Sequence, residues 1–307
     1  MRLAAIDIGT NSTKMTVADA QGDGTLSVVA EDSEVTRLGE GVDAAKRLKD
    51  EAIGRTLQAV QRFAESARSQ GAERVLAAGT SALRDAANGQ DFIARARERA
   101  RVEVEIITGD HEAELAYAAV RSDASLNLPP DALLLVFDIG GGSTELILGQ
   151  GPDVRRHKSL DAGAVRLTER FLKSDPPPDD ELAQASRFAD DLLETFPAPD
   201  QAPRVVGIGG TAVNLASVAR ALPKPDPDAV HASTLTLADV SAVLGRFRSV
   251  PLAERRQIPG LEPARADIII GGVLLLSRLL ARFHTDQFTV SARGLRFGLL
   301  AEAAKSQ

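Results

Sequence analysis

Three spacings of apolar residues recur in this chain, and each predicts a different element. Ala132-Leu133-Leu134-Leu135-Val136-Phe137 is an unbroken apolar run closed by turn residues, as in a buried strand, and Thr144 to Leu148 reads as another. Val102 to Ile107 alternates apolar with polar, the mark of a half-buried strand. Between Asp50 and Ala67 the positions Ile53, Leu57, Val60, Phe63 and Ala64 recur at the helical period, which predicts an amphipathic helix. Leu26 to Ala30 and Arg74 to Ala78 are further strands, the second turning at Gly79-Thr80 into a helix that starts at Ser81. Asp91 to Arg101 is predicted helical, with arginines at 95, 97, 99 and 101; alternate positions wind around a helix, so these read as solvated surface.

The strands at 132–137 and 144–148 are joined by Asp138-Ile139-Gly140-Gly141-Gly142-Ser143, so the glycines sit at a β-turn-β bend. Three residues without side chains let backbone N–H groups converge on an anion. Asp138 and Glu145 flank the bend, and two carboxylates beside a phosphate-sized concavity suit a hard divalent cation. A strand after the glycines argues against the dinucleotide and P-loop motifs, which both place a helix there. An ordinary tight hairpin would carry the same glycines, but the phrase occurs twice. Arg2 to Val17 superposes on the later hairpin, with Asp7 on Asp138, Gly9 on Gly140, Ser12 on Ser143 and Thr13 on Thr144. At nearly the same offset, Arg74 to Ala82 matches Arg204 to Ala212. Two matches at one spacing predict an internal duplication of an α/β unit, with a phosphate hairpin at the front of each half and the site in the cleft between them.

Length and composition sharpen this picture. A chain of 307 residues fits two domains of about 150 each. The longest apolar run, Ile268 to Leu276, is far short of the roughly 18 residues of a membrane span, and the start runs straight into a strand without room for a signal-peptide core. The chain has no cysteine, which removes thiolate chemistry and disulfides and agrees with a cytoplasmic location. A net charge of −7 argues against a general nucleic-acid binder, yet a cleft can be locally basic if some of the 36 lysines and arginines gather there. All 15 prolines lie from Pro129 onward, which makes Pro129-Pro130 the boundary marker.

Thr108 to Tyr117 reads as a strand end, a turn and a helix, with Asp110, His111 and Glu112 at its start. The helix dipole favours acids there whatever their role, but a carboxylate displayed at the end of a strand is also placed to take a proton from water.

Taken together, Asp7 to Ser12, Gly79 to Arg84, Gly109 to Ala113, Asp138 to Glu145 and Gly207 to Thr211 resemble the exopolyphosphatase/guanosine pentaphosphate phosphatase family, in its short two-domain form, within the sugar kinase, actin and Hsp70 superfamily. The resemblance continues through Pro259 to Asp267 and Gly294 to Gly298. It implies two duplicated ribonuclease H-like α/β domains of the actin-like ATPase type with mixed five-stranded sheets, at about 1–124 and 125–307, with a C-terminal helix at about 295–305 packing back on the first. It implies that Glu112 activates the attacking water, that Asp138 and Glu145 hold Mg²⁺ (with Mn²⁺ as a substitute) and orient the water, and that Asp7 is a further metal ligand. It places Thr10, Asn11, Ser12, Lys14 and Arg84, then Gly140, Gly141, Gly142, Ser143 and Thr144, and Gly209, Gly210 and Thr211 on phosphoryl oxygens. Arg265, Arg293 and Arg296 are candidates for the path of a longer anion, with surface salt bridges as the alternative.

The implied activity is metal-dependent release of terminal phosphate from inorganic polyphosphate. The alternatives are a guanosine pentaphosphate or nucleoside triphosphate hydrolase, and a sensor that binds guanosine tetraphosphate or polyphosphate with little turnover. Neither nucleic acid nor a membrane is an expected partner, and a homodimer is the family expectation.

Overall fold

The computed structural model describes residues 1–21 and 25–305. The chain divides into two compact units, Met1–Ala119 with Gly294–Gln307, and Val120–Arg293. Its elements begin with β1 (Arg2–Ile8), β2 (Thr13–Ala20), β3 (Leu26–Glu34), α1 (Val42–Ala45), α2 (Asp50–Ser69), β4 (Arg74–Gly79), α3 (Ser81–Asp85), α4 (Gly89–Ala100), β5 (Val104–Ile106) and α5 (Gly109–Arg121). They continue with β6 (Leu133–Ile139), β7 (Thr144–Gln150), β8 (Asp153–Leu160), α6 (Ala164–Phe171), α7 (Asp179–Glu194), β9 (Arg204–Ile208), α8 (Gly209–Ala219) and α9 (Pro227–Val230). The last are β10 (Thr234–Thr236), α10 (Leu237–Arg248), α11 (Leu252–Arg255), α12 (Ile269–Arg282), β11 (Gln287–Val290) and α13 (Leu295–Lys305).

In the first unit the sheet order is β3-β2-β1-β4-β5, an antiparallel meander of β1 to β3 joined by the parallel strands β4 and β5. This is the ribonuclease H-like arrangement. Strand alternation sorts β1 between two cores. Ala4, Ile6 and Ile8 join Met15 and Val17 against Ile53, Leu57, Val60 and Phe63 of α2 and Phe92 of α4. Leu3 and Ala5 face the other way, onto Leu115 of α5 and Leu295, Leu299 and Leu300 of α13. Asp7 continues this second series at the C-terminal end of the strand.

The second unit repeats the plan. Its sheet runs β10-β11-β9-β6-β7-β8, so β6, β7, β8, β9 and β11 take the places of β1 to β5. The family resemblance implies five strands here, and among the described residues the sheet has six. The addition, β10, pairs antiparallel with the outer edge of β11 over three residues, too few to leave an alternation that could be read in advance. Leu135, Phe137 and Ile139 of β6 face a core that includes Leu193 of α7, Leu215 of α8, Phe247 of α10 and Leu275 of α12. The apolar run at 268–276 is thus the core-facing part of α12, and among the described residues no helix is long and apolar enough to cross a membrane.

A buried polar cluster ties the first and last stretches of the second unit together. Asp123 Oδ1 accepts from Ser125 Oγ (2.6 Å), Ser125 N (3.1 Å) and Arg293 Nη1 (3.2 Å), and His231 Nε2 lies 3.1 Å from Asp123 Oδ2. Ser125 Oγ is also 2.6 Å from His231 Nε2, which brings a serine, a histidine and an aspartate into one group. It is not a nucleophilic triad. The Ala292 N–H donates to His231 Nδ1 (3.1 Å), so the ring proton sits on Nε2, and that nitrogen cannot accept the serine proton. Burial alone would push the Asp123 carboxyl pKa up, but the bonds from His231 and Ser125 and the charge of Arg293 outweigh it and lower the pKa from 3.8 to about 2. A depressed carboxylate pKa stabilises the fold above the unfolded value and loses that contribution as pH falls through the folded one. The stability gap between wild type and Asp123→Asn should therefore narrow by about 2 kcal/mol between pH 4 and pH 2. Urea unfolding of both proteins across this window checks it, and a constant gap would contradict the assignment.

Candidate active site

In the second unit the hairpin register places Asp138 opposite Glu145 and Glu145 opposite Ser159, so three polar residues form one row across β6, β7 and β8. Ser159 Oγ donates to Glu145 Oε1 at 2.9 Å, which fixes a carboxylate that is almost wholly buried. Asp138 lies against the start of α8. Gly209 there has φ of 85°, and a Cβ on it would fall 2.1 Å from Asp138 Oδ1.

The glycine turn is shaped from behind by the start of α6. The Gly140 carbonyl accepts from Ala164 N (2.9 Å), and the Gly141 carbonyl accepts from Val165 N (2.9 Å) and Arg166 N (3.1 Å). The Gly142 carbonyl accepts from Arg166 Nε (2.7 Å). In a trans peptide the N–H of the following residue points opposite to the carbonyl. With three successive carbonyls turned onto α6, the N–H groups of Gly141, Gly142 and Ser143 are aimed the other way, an arrangement suited to an anion. Gly163 makes this approach possible, because a Cβ at that position would lie 2.5 Å from the Gly141 oxygen. Thr144 Oγ1 donates to the Ala162 carbonyl (2.6 Å) and Thr211 Oγ1 to the Ile139 carbonyl (3.0 Å), so both hydroxyl protons hold the backbone of the turn.

The first unit repeats the device with different parts. Gly9 N donates to Ser12 O (3.1 Å), as Gly140 N does to Ser143 O (3.0 Å). The carbonyls of Thr10 and Asn11 accept from Gly39 N (2.8 Å) and Arg37 N (2.9 Å), which turns the Asn11 and Ser12 N–H groups away from that loop. Thr10, Asn11 and Ser12 are buried, and the Asn11 side-chain oxygen is buried without a hydrogen-bond partner. Turning this amide over would put an N–H donor at the same place. Lys14 faces Asp7 across the β1–β2 register. Burial pushes the Asp7 carboxyl pKa up, and the charges of Lys14 and Arg296 pull it back.

Glu112 lies in the first turn of α5, with its N–H on the Thr108 carbonyl (3.0 Å). Arg84, at the end of α3, donates through Nη1 to Glu112 Oε2 (2.7 Å) and to the Ile107 carbonyl (3.0 Å). This charge-assisted bond aims the carboxylate. The sequence marks both residues, but not that they pair. The other candidate arginines have protein partners. Arg265 Nε donates to Glu262 Oε2 (2.8 Å) while its guanidinium lies over Gly210, Arg293 binds Asp123, and Arg296 donates to the Met15 carbonyl (2.8 Å) and lies 3.1 Å from Glu31.

No residue type or spacing marks Gly39, Gly163 or Arg166 in the sequence as functional. The available signal was a second echo of the duplication, since Leu38-Gly39 and Ala162-Gly163 each follow the third strand of a meander.

The donor set for a metal is oxygen only. Asp138 and Glu145, side by side in register, fit a cation held by one or two carboxylates with water and substrate oxygens completing its shell, as Mg²⁺ prefers. Among the described residues no group of three or more His, Asp or Glu side chains is arranged to hold a metal ion.

Two units of one ribonuclease H-like plan, the second with a glycine turn flanked by Asp138 and Glu145, define the fold class. The chain belongs to the Ppx/GppA phosphatase family, whose profile matches residues 16–307, and it is therefore a hydrolase of the phosphatase class. It is 37% identical to exopolyphosphatase 2 of Mycobacterium tuberculosis over 99% of this chain and 98% of that protein. It superposes on the crystal structure of the Aquifex aeolicus Ppx/GppA family member with a TM-score of 0.82 and 35% identity, covering 100% of this chain and 98% of the other. An exopolyphosphatase from Cytophaga hutchinsonii gives a TM-score of 0.88 at 27% identity, again over 100% and 98% of the two chains.

Proposed function

We propose that the protein is an exopolyphosphatase that removes the terminal phosphoryl group of inorganic polyphosphate, with Mg²⁺ as cofactor and Mn²⁺ as its substitute. The observation that carries this reading is the turning of three glycine-loop carbonyls onto α6, which aims three N–H groups to one side of a hairpin whose strands bear Asp138 and Glu145. The names of the full-length relatives support the same substrate.

In this reading Glu112, aimed by Arg84, orients a water molecule and takes its proton as the water oxygen bonds to the terminal phosphorus. The bridging P–O bond breaks, orthophosphate is released, and the shortened chain keeps the bond's electron pair on its new terminal oxygen. A magnesium ion on Asp138 and Glu145 would offset charge on the phosphoryl oxygens and polarise the phosphorus. The N–H groups of Gly141, Gly142 and Ser143 would hold oxygens of the transferred group, and those of Asn11 and Ser12 offer the first unit a comparable set of donors for an anion. Thr144 and Thr211 keep the turn in shape, Lys14 adds charge, and Gly209 and Gly210 leave room beside Asp138 and Arg265.

The Arg84–Glu112 bond makes Arg84 more than a phosphate ligand. Arg84→Ala should lower kcat by about 10-fold to 100-fold as well as raise KM, because a charge-assisted bond of this kind contributes about 1.5–3 kcal/mol. Steady-state kinetics on polyphosphate separates the two effects, and a rise in KM alone would restore Arg84 to a binding role only.

The test of the function is phosphate release from long-chain polyphosphate, guanosine pentaphosphate and ATP, each with and without Mg²⁺. Metal-dependent release from polyphosphate above the nucleotides supports the proposal. Release from nucleotides alone makes the protein a nucleotide phosphohydrolase, and binding of polyphosphate or guanosine tetraphosphate without release from any substrate makes it a sensor.

A further inference from the structure

Arg166 is almost fully buried, at 5% exposure, in the first turn of α6. Its Nε donates to the Gly142 carbonyl at 2.7 Å, while Nη2 stands 3.9 Å from the carboxylate of Asp161, which is itself exposed. Gly140 and Gly141 have their carbonyls held by backbone N–H groups of Ala164, Val165 and Arg166, donors that any sequence supplies. The Gly142 carbonyl is held by a side chain. The direction of that carbonyl sets the direction of the Ser143 N–H, because the two belong to one planar trans peptide.

We propose that Arg166 is the positioning residue of the phosphate loop: by fixing the Gly142 carbonyl it aims the Ser143 N–H at a phosphoryl oxygen, without touching substrate itself. This rests on the reading of the glycine turn as a phosphate site. A buried arginine is a costly choice if packing alone were needed, since an apolar side chain would fill space without desolvating a charge. What an apolar side chain lacks is a donor directed at Gly142. The glycine turn has no side chains to hold its own peptide planes, so an external donor is what removes the last rotational freedom of that peptide.

The chemistry allows a clean test. In arginine and in glutamine the ε nitrogen stands the same number of bonds from the backbone and carries N–H, whereas methionine has a methyl group there. Arg166→Gln therefore keeps a donor at the ε position and removes the charge, and Arg166→Met removes both while matching the glutamine variant in length. Binding of tripolyphosphate is measured by calorimetry without divalent metal, so that no turnover intervenes, beside thermal unfolding and the kinetics of polyphosphate hydrolysis. R166Q should bind close to wild type, and R166M about tenfold more weakly, the equivalent of one directed hydrogen bond. In kinetics R166M should raise KM more than it lowers kcat. Tight binding by R166M overturns the proposal, and so does an equal loss in R166Q and R166M, which would make the charge and not the aimed donor responsible. If R166M does not fold, R166Q is compared with R166K, which keeps the charge and moves the donor one bond outward; the proposal requires R166Q to bind more tightly. A wild type with no affinity for tripolyphosphate removes the site and the inference with it. A wild type that binds but releases no phosphate overturns the proposed activity alone, and the ratio between variants still decides the role of Arg166.

Discussion

Glu112→Gln is expected to slow phosphate release from polyphosphate by about 10²–10⁴-fold, the usual contribution of a general base, with polyphosphate affinity near the wild-type value. The substitution is nearly isosteric. Glutamine can still accept the Arg84 Nη1 bond through its amide oxygen, so the end of α3 and the first turn of α5 stay tied together. What disappears is a group able to take a proton from water. Single-turnover phosphate release at saturating substrate isolates that step from product release. A rate within about tenfold of wild type would show that water is activated elsewhere and that Glu112 only anchors Arg84.

The second large effect is expected at a residue with no chemistry of its own. Gly209→Ala should abolish detectable turnover and cost about 1–3 kcal/mol of stability, because two constraints meet there. The backbone is in the left-handed region, with φ of 85°, and the new Cβ would sit 2.1 Å from Asp138 Oδ1. That distance is inside any allowed contact, so either the Asp138 carboxylate leaves its place beside Glu145 or the strand-to-helix turn is rebuilt. Both displace the carboxylate pair proposed to hold the cation. Activity at raised Mg²⁺ together with chemical denaturation distinguishes the routes: a shifted carboxylate gives a folded protein whose activity partly returns with metal. Full activity at ordinary metal concentration would show that the Asp138 position is not critical.

The two predictions differ in how far they were visible beforehand. Glu112 stands in a stretch whose residue types announce a helix start, and the resemblance to a phosphatase family directs attention to it. Gly209 is visible as part of a repeated phrase, Gly79-Thr80 matching Gly209-Gly210, but its collision with Asp138 is not. The partner lies across the parallel pairing of β6 with β9. Arg84 and Glu112 illustrate the same gap. Each is marked individually, yet the bond between them joins positions 28 apart in the chain and changes what loss of Arg84 is expected to do. Likewise β10 was missed, because three residues of edge strand carry too little pattern and depend on β11 for their existence.

By itself the sequence determined the hairpins, the helix at Asp50–Ser69 and the duplication, for a physical reason: runs of apolar residues, turn glycines and helical periodicity act over a few neighbouring positions, and the same local instruction occurs twice. It also set which carboxylates flank the glycines, since register in a short hairpin follows from the turn between its strands. Only the tertiary structure decided where those groups point. The N–H groups of a glycine turn have no preferred direction of their own, and they acquire one here because α6, entering at Gly163, takes three carbonyls in succession. In the first unit a loop around Gly39 does the same work with different atoms. The duplication is legible because it is local, and the aim of the site is not, because peptide planes are oriented by contacts the chain makes with itself after it folds.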